Sequence, residues 1–216
     1  VSIATKSELR AALGGSSGLL HRAYTDAKLD EFILMGESRL NRVLRMLDMI
    51  QQATGTLSTS VATLALPTRF ADPIQLRIDS PLTVLRYVPP AHVKDYVADL
   101  TTSRMPRRFT VRDAIEFDAV PDSAYAYTLT YFQGYKLTAD ADTNYVLANY
   151  PQAYLYAAAI DGAIYQRNFE LAQTMTGLLR SEISSIKSAE RRRKGQDGAT
   201  LETEFAQRGR YNINDC

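Results

Sequence analysis

Residues 25–50 read TDAKLDEFILMGESRLNRVLRMLDMI, and how far this stretch runs as one helix decides what kind of fold the chain builds. Thr25 suits a helix cap. With each residue advancing about 100°, Leu29, Phe32, Ile33, Gly36, Leu40, Val43, Leu44, Leu47 and Ile50 fall within one arc of about 120°. The period predicts a single long helix buried along that stripe. Gly36 inside it predicts a second helix crossing closely, because glycine otherwise costs a helix about 1 kcal/mol. Arg39, Arg42 and Arg45 recur every three residues, and none has an acidic residue four positions before or after it. Arg42 lies among Met35, Met46 and Met49, away from the aliphatic stripe. Two readings stay open for this face: the methionines fill gaps inside the chain while the arginines snorkel to water, or the face meets a neighbouring subunit whose carboxylates complete it.

Outward from this helix, the pattern changes character. TKSELRAAL opens with a capping box, Thr5 and Glu8, and predicts a short helix stopped by GGSSG at 14–18. From residue 56, β-branched and alternating stretches punctuated by Pro67, Pro73 and Pro81 predict strands. PPAHVKDYVADL (89–100) interrupts them as a short helix. Residues 107–135 then read as strand, a turn at Arg112–Asp113, strand, a VPDS loop and strand. Phe109, Val111, Ile115 and Phe117 share one face, with Tyr125, Tyr127, Leu129 and Tyr131 expected on the opposing strand. Residues 149–168 return to helix behind Pro151, and Phe169 starts another whose apolar spacing lasts to Ile186. The tail from 188 is polar and is expected to be an arm that does not pack alone.

The resulting expectation is an α+β, mainly α protein. An antiparallel helical bundle (1–55 and 139–187) carries a small inserted antiparallel β domain with a short helix (56–138) and an extended C-terminal arm (188–216).

The 216 residues carry 25 Lys+Arg against 24 Asp+Glu and are 45% hydrophobic, which fits a globular core and gives no global field to gather nucleic acid. The one cysteine, Cys216, fits synthesis in a reducing cytoplasm. No apolar run approaches the roughly 18 residues of a membrane span, and the N-terminal residues lack the layout of a signal peptide. No membrane role is expected. His21 and His92 have no partner at metal-ligand spacing, so neither a metal nor any other cofactor is expected. Glu116, Asp118 and Asp122 could be imagined as an acid/base pair, but aspartates beside a hairpin loop serve the turn far more often. With no phosphate loop, nucleophile elbow or cysteine pair, catalysis has no candidate and a non-enzymatic protein is expected. Two basic runs remain: Arg104, Arg107, Arg108 and Arg112, then Arg191, Arg192, Arg193 and Lys194. They support an alternative, a monomeric nucleic-acid-binding module using 104–112 and 191–194. The interleaved acids argue for solvated ends or a protein partner instead.

The pairing of LDEFILMGESRLNRVLRM with the later NYVLANYPQAYLYAAAIDGAIYQRNFELAQ resembles the head-to-tail adaptor proteins of tailed bacteriophages. The order of elements is similar over residues 5–187. The motif positions are Glu37, Arg39, Asn41, Arg42 and Arg45 on the early helix, and Tyr150, Pro151, Tyr154, Leu155 and Tyr156 on the later one. The resemblance implies a structural virion protein, made in the host cytoplasm, that forms a ring, commonly twelvefold, beneath the portal. Such a ring extends the channel for double-stranded DNA, without sequence specificity, and offers the tail or nozzle its attachment surface through the β domain. It implies a subunit interface at Glu37, Arg39, Asn41, Arg42 and Arg45, and a portal-binding C-terminal arm. On that arm Arg191, Arg192, Arg193, Lys194, Phe205, Arg208, Arg210 and Tyr211 are the expected contacts, although the last four match no motif. A near-neutral charge fits a channel that must let DNA pass.

Overall fold

The computed structural model describes residues 3–15, 17–95 and 103–208, with 93–95 and 196–208 as backbone alone. The chain forms two compact units, Val1–Leu44 with Lys136–Cys216 and, between them in sequence, Arg45–Tyr135.

The first unit is helical: α1 Lys6–Leu13, α2 Asp26–Val43, α3 Tyr145–Asn149, α4 Pro151–Tyr165 and α5 Phe169–Arg208. Each start has a local cause. Thr5 and Glu8 close the capping box on α1, Thr25 caps α2, Asn144 caps α3, and Pro151 occupies the first turn of α4. Helix α4 is the centre, with Ala153, Tyr154, Ala157, Ala158, Ala159 and Ala163 all fully buried. Helix α2 crosses it at Gly36, where a side-chain carbon would sit 2.7 Å from the backbone nitrogen of Ala158. That is the close approach the glycine predicts. Helix α1 contributes Leu9 and Leu13 to the same core.

The second unit is a seven-stranded sheet: β1 Ile50–Thr56, β2 Thr63–Ala65, β3 Phe70–Asp79, β4 Leu82–Tyr87, β5 Arg108–Val111, β6 Ala114–Phe117 and β7 Ala126–Gln133. The spatial order is β1-β7-β3-β4-β5-β6-β2. Every pairing is antiparallel except β4 with β5, where Arg86 and Tyr87 lie opposite Arg108 and Phe109 in parallel register. Leu76, Ile78, Leu85, Phe109, Ile115, Phe117 and Leu129 make its core. First strand pairs with last, so Ile50 lies opposite Phe132 and the unit's two chain ends come close together, as an insertion requires.

The architecture corrects the expectation of a mainly helical bundle with a small antiparallel β domain. Among the described residues the five helices are matched by a seven-stranded sheet that is mixed and curled. Helix α2 stops at Val43: Leu44 is extended, at φ −99° and ψ 138°, and its N–H closes on the Leu40 carbonyl. The stripe breaks there: Leu44 is buried, but Val43 is 38% exposed and Leu47 and Ile50 are only half-buried, while Met46 and Met49, off the stripe, are buried. Strand β7 does not oppose β6; it lies between β1 and β3. Nor does an extended arm begin at 188, because α5 continues as helix to Arg208. SAERRRK (188–194) is rich in good helix formers, and a single glycine such as Gly195 costs only about 1 kcal/mol.

Candidate functional site: the arginine row and its surroundings

On α2, Glu37 is buried at 3% exposure, and its Oε1 accepts from the Leu137 backbone N–H at 2.9 Å and from the Tyr154 hydroxyl at 3.0 Å. Tyr154 in turn accepts from Asn144 Nδ2 at 2.7 Å, while Asn144 Oδ1 caps α3 through Leu147 N–H. One carboxylate thus ties α2, α3, α4 and the returning chain together. Burying a carboxylate is costly unless donors satisfy it, and here α4 aims the Tyr154 hydroxyl while the returning chain supplies the Leu137 N–H.

Arg39 answers the question its spacing raises inside its own unit. It meets Asp161 of α4 through two contacts of 3.0 Å and also donates to the Ala157 carbonyl at 2.7 Å. The planar guanidinium suits this two-pronged geometry. Arg45 belongs to the other unit and pairs with Asp72. The premise that the three arginines lack partners in the chain therefore fails for Arg39 and Arg45. A search four residues either way on one helix could not find Asp161 or Asp72; the lone acid in AAAIDGA was the available signal for the first. Asn41 is half-buried. Arg42 differs: it is exposed, with Nε donating to the Ser38 carbonyl at 3.4 Å, and among the described residues it meets no carboxylate. It shares an exposed face of α2 with Leu34 (57% exposed), Met35 (51%) and Ser38.

The basic runs are partly answered locally. Asp118, 4% exposed, accepts from the backbone N–H groups of Arg107 and Arg108 at 2.9 and 3.1 Å, and Arg104 lies 3.5 Å from it. Arg112 is 3.6 Å from Glu116, and Asp122 accepts the Tyr125 hydroxyl at 2.7 Å, which raises the Tyr125 pKa. These acids serve the loops. Arg193 lies near Glu190 and over the Tyr145 ring, 5.4 Å from its centroid, which seats α5 against α3. Arg191, Arg192 and Lys194 are exposed. The side chains of Phe205 and Arg208, and Arg210 and Tyr211 altogether, lie outside the described residues. Among the described residues no group of three His, Cys, Asp or Glu could hold a metal ion, and no helix is long and apolar enough to cross a membrane.

A further salt-bridge cluster holds the N-terminal turns of the helical unit. Asp30 receives Arg10 and the nearly buried Lys6, and Arg10 also reaches Asp140 at 2.8 Å. The Arg10 hydrogen bond, then Lys6, holds the Asp30 carboxyl below the usual carboxylate range against its partial burial.

The model of the SU10 adaptor protein family matches residues 4–202, spanning both units and most of α5. The chain belongs to that family. It is therefore a structural adaptor of a phage head-to-tail type, consistent with a site built from interhelical clamps and exposed faces. No curated protein matches the sequence. For the adaptor, Glu37 and Arg39 are clamps within one chain, and Arg42 with Leu34 and Met35 is the part of the row that faces outward.

Proposed function

We propose that this adaptor assembles as a ring, of twelve copies as the resemblance implies, beneath the portal of a phage head. There it lengthens the channel through which double-stranded DNA passes and gives the tail or nozzle its attachment surface through the β unit. The family match over residues 4–202 carries the reading. The exposed α2 face of Leu34, Met35 and Arg42 supports a contact between copies, with Glu37 and Arg39 holding α2 in place from behind and Asn41 beside them. The cationic stretch Arg191, Arg192, Arg193 and Lys194, on a helix that runs to Arg208, supports a portal contact continuing through Phe205, Arg208, Arg210 and Tyr211. Its place is the head-to-tail junction of the virion.

The test is the native mass of the purified protein, alone and with the portal of the same phage. A multi-copy ring on the portal is expected, weakened by Arg42→Glu. Truncation after Gly195, which leaves the described packing of α5 intact, is expected to abolish it. A single copy under both conditions overturns the proposal. Affinity for duplex DNA that falls steeply with salt and vanishes when 104–112 and 191–194 are neutralised would replace it with the nucleic-acid module.

A further inference from the structure

Helices α2 and α5 both pack on α4, and each leaves a row of side chains facing away from it. On α2 the row is Leu34, Ser38 and Arg42; on α5 it is Glu170, Thr174 and Leu178, and all of these are exposed. Each row steps by four residues, so its members stack along one ridge of the helix. Leu178 is 42% exposed although its neighbours Met175 and Leu179 are buried.

The rows read in opposite order. One runs apolar, hydroxyl, cation; the other runs anion, hydroxyl, apolar. Laid antiparallel, Leu34 meets Leu178, Ser38 meets Thr174 and Arg42 meets Glu170, and both rows span about 12 Å at the helical rise per residue. A parallel register gives no such match, because the residue eight positions beyond Leu178 is Ile186, which is buried. Among the described residues Arg42 meets no carboxylate and Glu170 no basic group, so each carries a charge for the other to answer. The Thr174 hydroxyl is already bonded to the Glu170 carbonyl at 3.0 Å and makes no polar demand on a partner. Met35 enlarges the apolar end of the α2 row. Next to Leu178, a side-chain carbon added to Gly177 would meet nothing within 4 Å. Glycine is costly inside a helix, and among the described residues no neighbour accounts for it here; the close approach of a second helix does.

We infer that the outward row of α5 is the docking surface for the α2 row of a second copy of this chain. Within one chain the two rows cannot meet, because both helices lie on α4 with these rows turned away from it. The two surfaces differ, so the contact is head-to-tail and repeats from copy to copy. A duplex backbone does not suit them: Glu170 repels phosphate, and Leu34, Met35 and Leu178 offer it nothing. The pairing rests on the ring reading and deepens it by naming the surface that the α2 face meets.

The test uses the full chain, alone and with the portal of the same phage, and reads the multi-copy species by native mass. Compared are the native chain, Arg42→Glu, Glu170→Arg, an equimolar mixture of these two variants, and the double variant. Each single variant sets like charges against one another and should weaken association between copies about tenfold, with an unchanged melting transition. The double variant restores assembly. So does the mixture, because alternating the two variants places opposite charges at every head-to-tail contact. Gly177→Leu should weaken association while raising the melting transition, which an internal role for Gly177 would not produce. Assembly of Glu170→Arg or Gly177→Leu equal to that of the native chain, or no recovery in either the mixture or the double variant, overturns the pairing and leaves the ring reading standing. A native chain that stays a single copy under both conditions overturns both.

Discussion

Arg39 and Asp161 allow the question of inside or outside partners to be settled by a double-mutant cycle: Arg39→Ala, Asp161→Ala and both together. The pair makes two contacts of 3.0 Å, and Arg39 adds the Ala157 carbonyl at 2.7 Å. Hydrogen bonds to charged groups contribute about 1.5–3 kcal/mol net, whereas exposed ion pairs contribute about 0.2–1 kcal/mol. The side chains are 30% and 17% exposed, which places this pair between those limits. A coupling of about 1.5 kcal/mol is expected, with Arg39→Ala costing slightly more than Asp161→Ala because it also gives up the carbonyl contact. Urea unfolding followed by helical circular dichroism measures it, at protein concentrations differing widely enough to change any assembly. A clamp within one chain gives a coupling that does not depend on concentration. A coupling near zero, or one that appears only where the protein assembles, refutes the assignment of Asp161 as the partner of Arg39.

Gly36→Val should destabilise the helical unit by about 1–3 kcal/mol in the same assay, because its branched side chain meets the rigid backbone of Ala157 and Ala158 and the overlap outweighs the gain in helix propensity. Asp118→Ala should cost about 2 kcal/mol by leaving the Arg107 and Arg108 N–H groups without their acceptor, read as a lower midpoint of the β unit's unfolding. Acid titration should show the helical unit losing stability as pH falls. The Asp30 pKa is depressed in the folded state by Arg10 and then Lys6, so its contribution is present above the ordinary carboxylate range and is lost as pH drops through the folded value. Asp30→Asn should flatten that acid slope relative to the native chain. If the slope is unchanged, the Arg10–Asp30–Lys6 cluster is not the cause.

Elements whose causes are local could be read from the sequence. The capping box at Thr5 and Glu8, the proline in the first turn of α4, and the Arg112–Asp113 turn between β5 and β6 each act within a few residues. Gly36 carried a longer message, since a glycine in a buried stripe predicts close helix crossing whatever the partner is. Strand β1 carried no such message. Its IQQATGT is mostly exposed and shows no apolar alternation; all seven of its residues pair with β7, which lies far along the chain. The parallel β4–β5 pair is equally non-local, joining strands across a long connection. Counting only locally visible strands therefore left the sheet too small and the helical share too large. In the C-terminal stretch the error had the opposite cause: low apolar content was weighed above the helix propensity of SAERRRK, although Glu190 is buried and Arg193 packs over Tyr145.

The same distinction governs the site. A motif on one helix shows which side chains recur together, but not what they face. Glu37 and Arg39, the centre of the motif that resembles the adaptors, turn inward onto Tyr154, Ala157 and Asp161, so that part of the motif describes how α2 sits on α4. On the reading proposed above, contacts with other virion proteins use surfaces to which those clamps contribute rigidity alone, such as the Leu34, Met35 and Arg42 face. Substitutions should divide accordingly. Changes at Glu37, Arg39 or Asp161 lower the stability of the isolated chain whether or not partners are present. Changes at Arg42 leave that stability within about 0.5 kcal/mol and act on association. An Arg42 variant that unfolds as readily as an Arg39 variant would mean that the row acts as one internal device, and the outward face would lose its role.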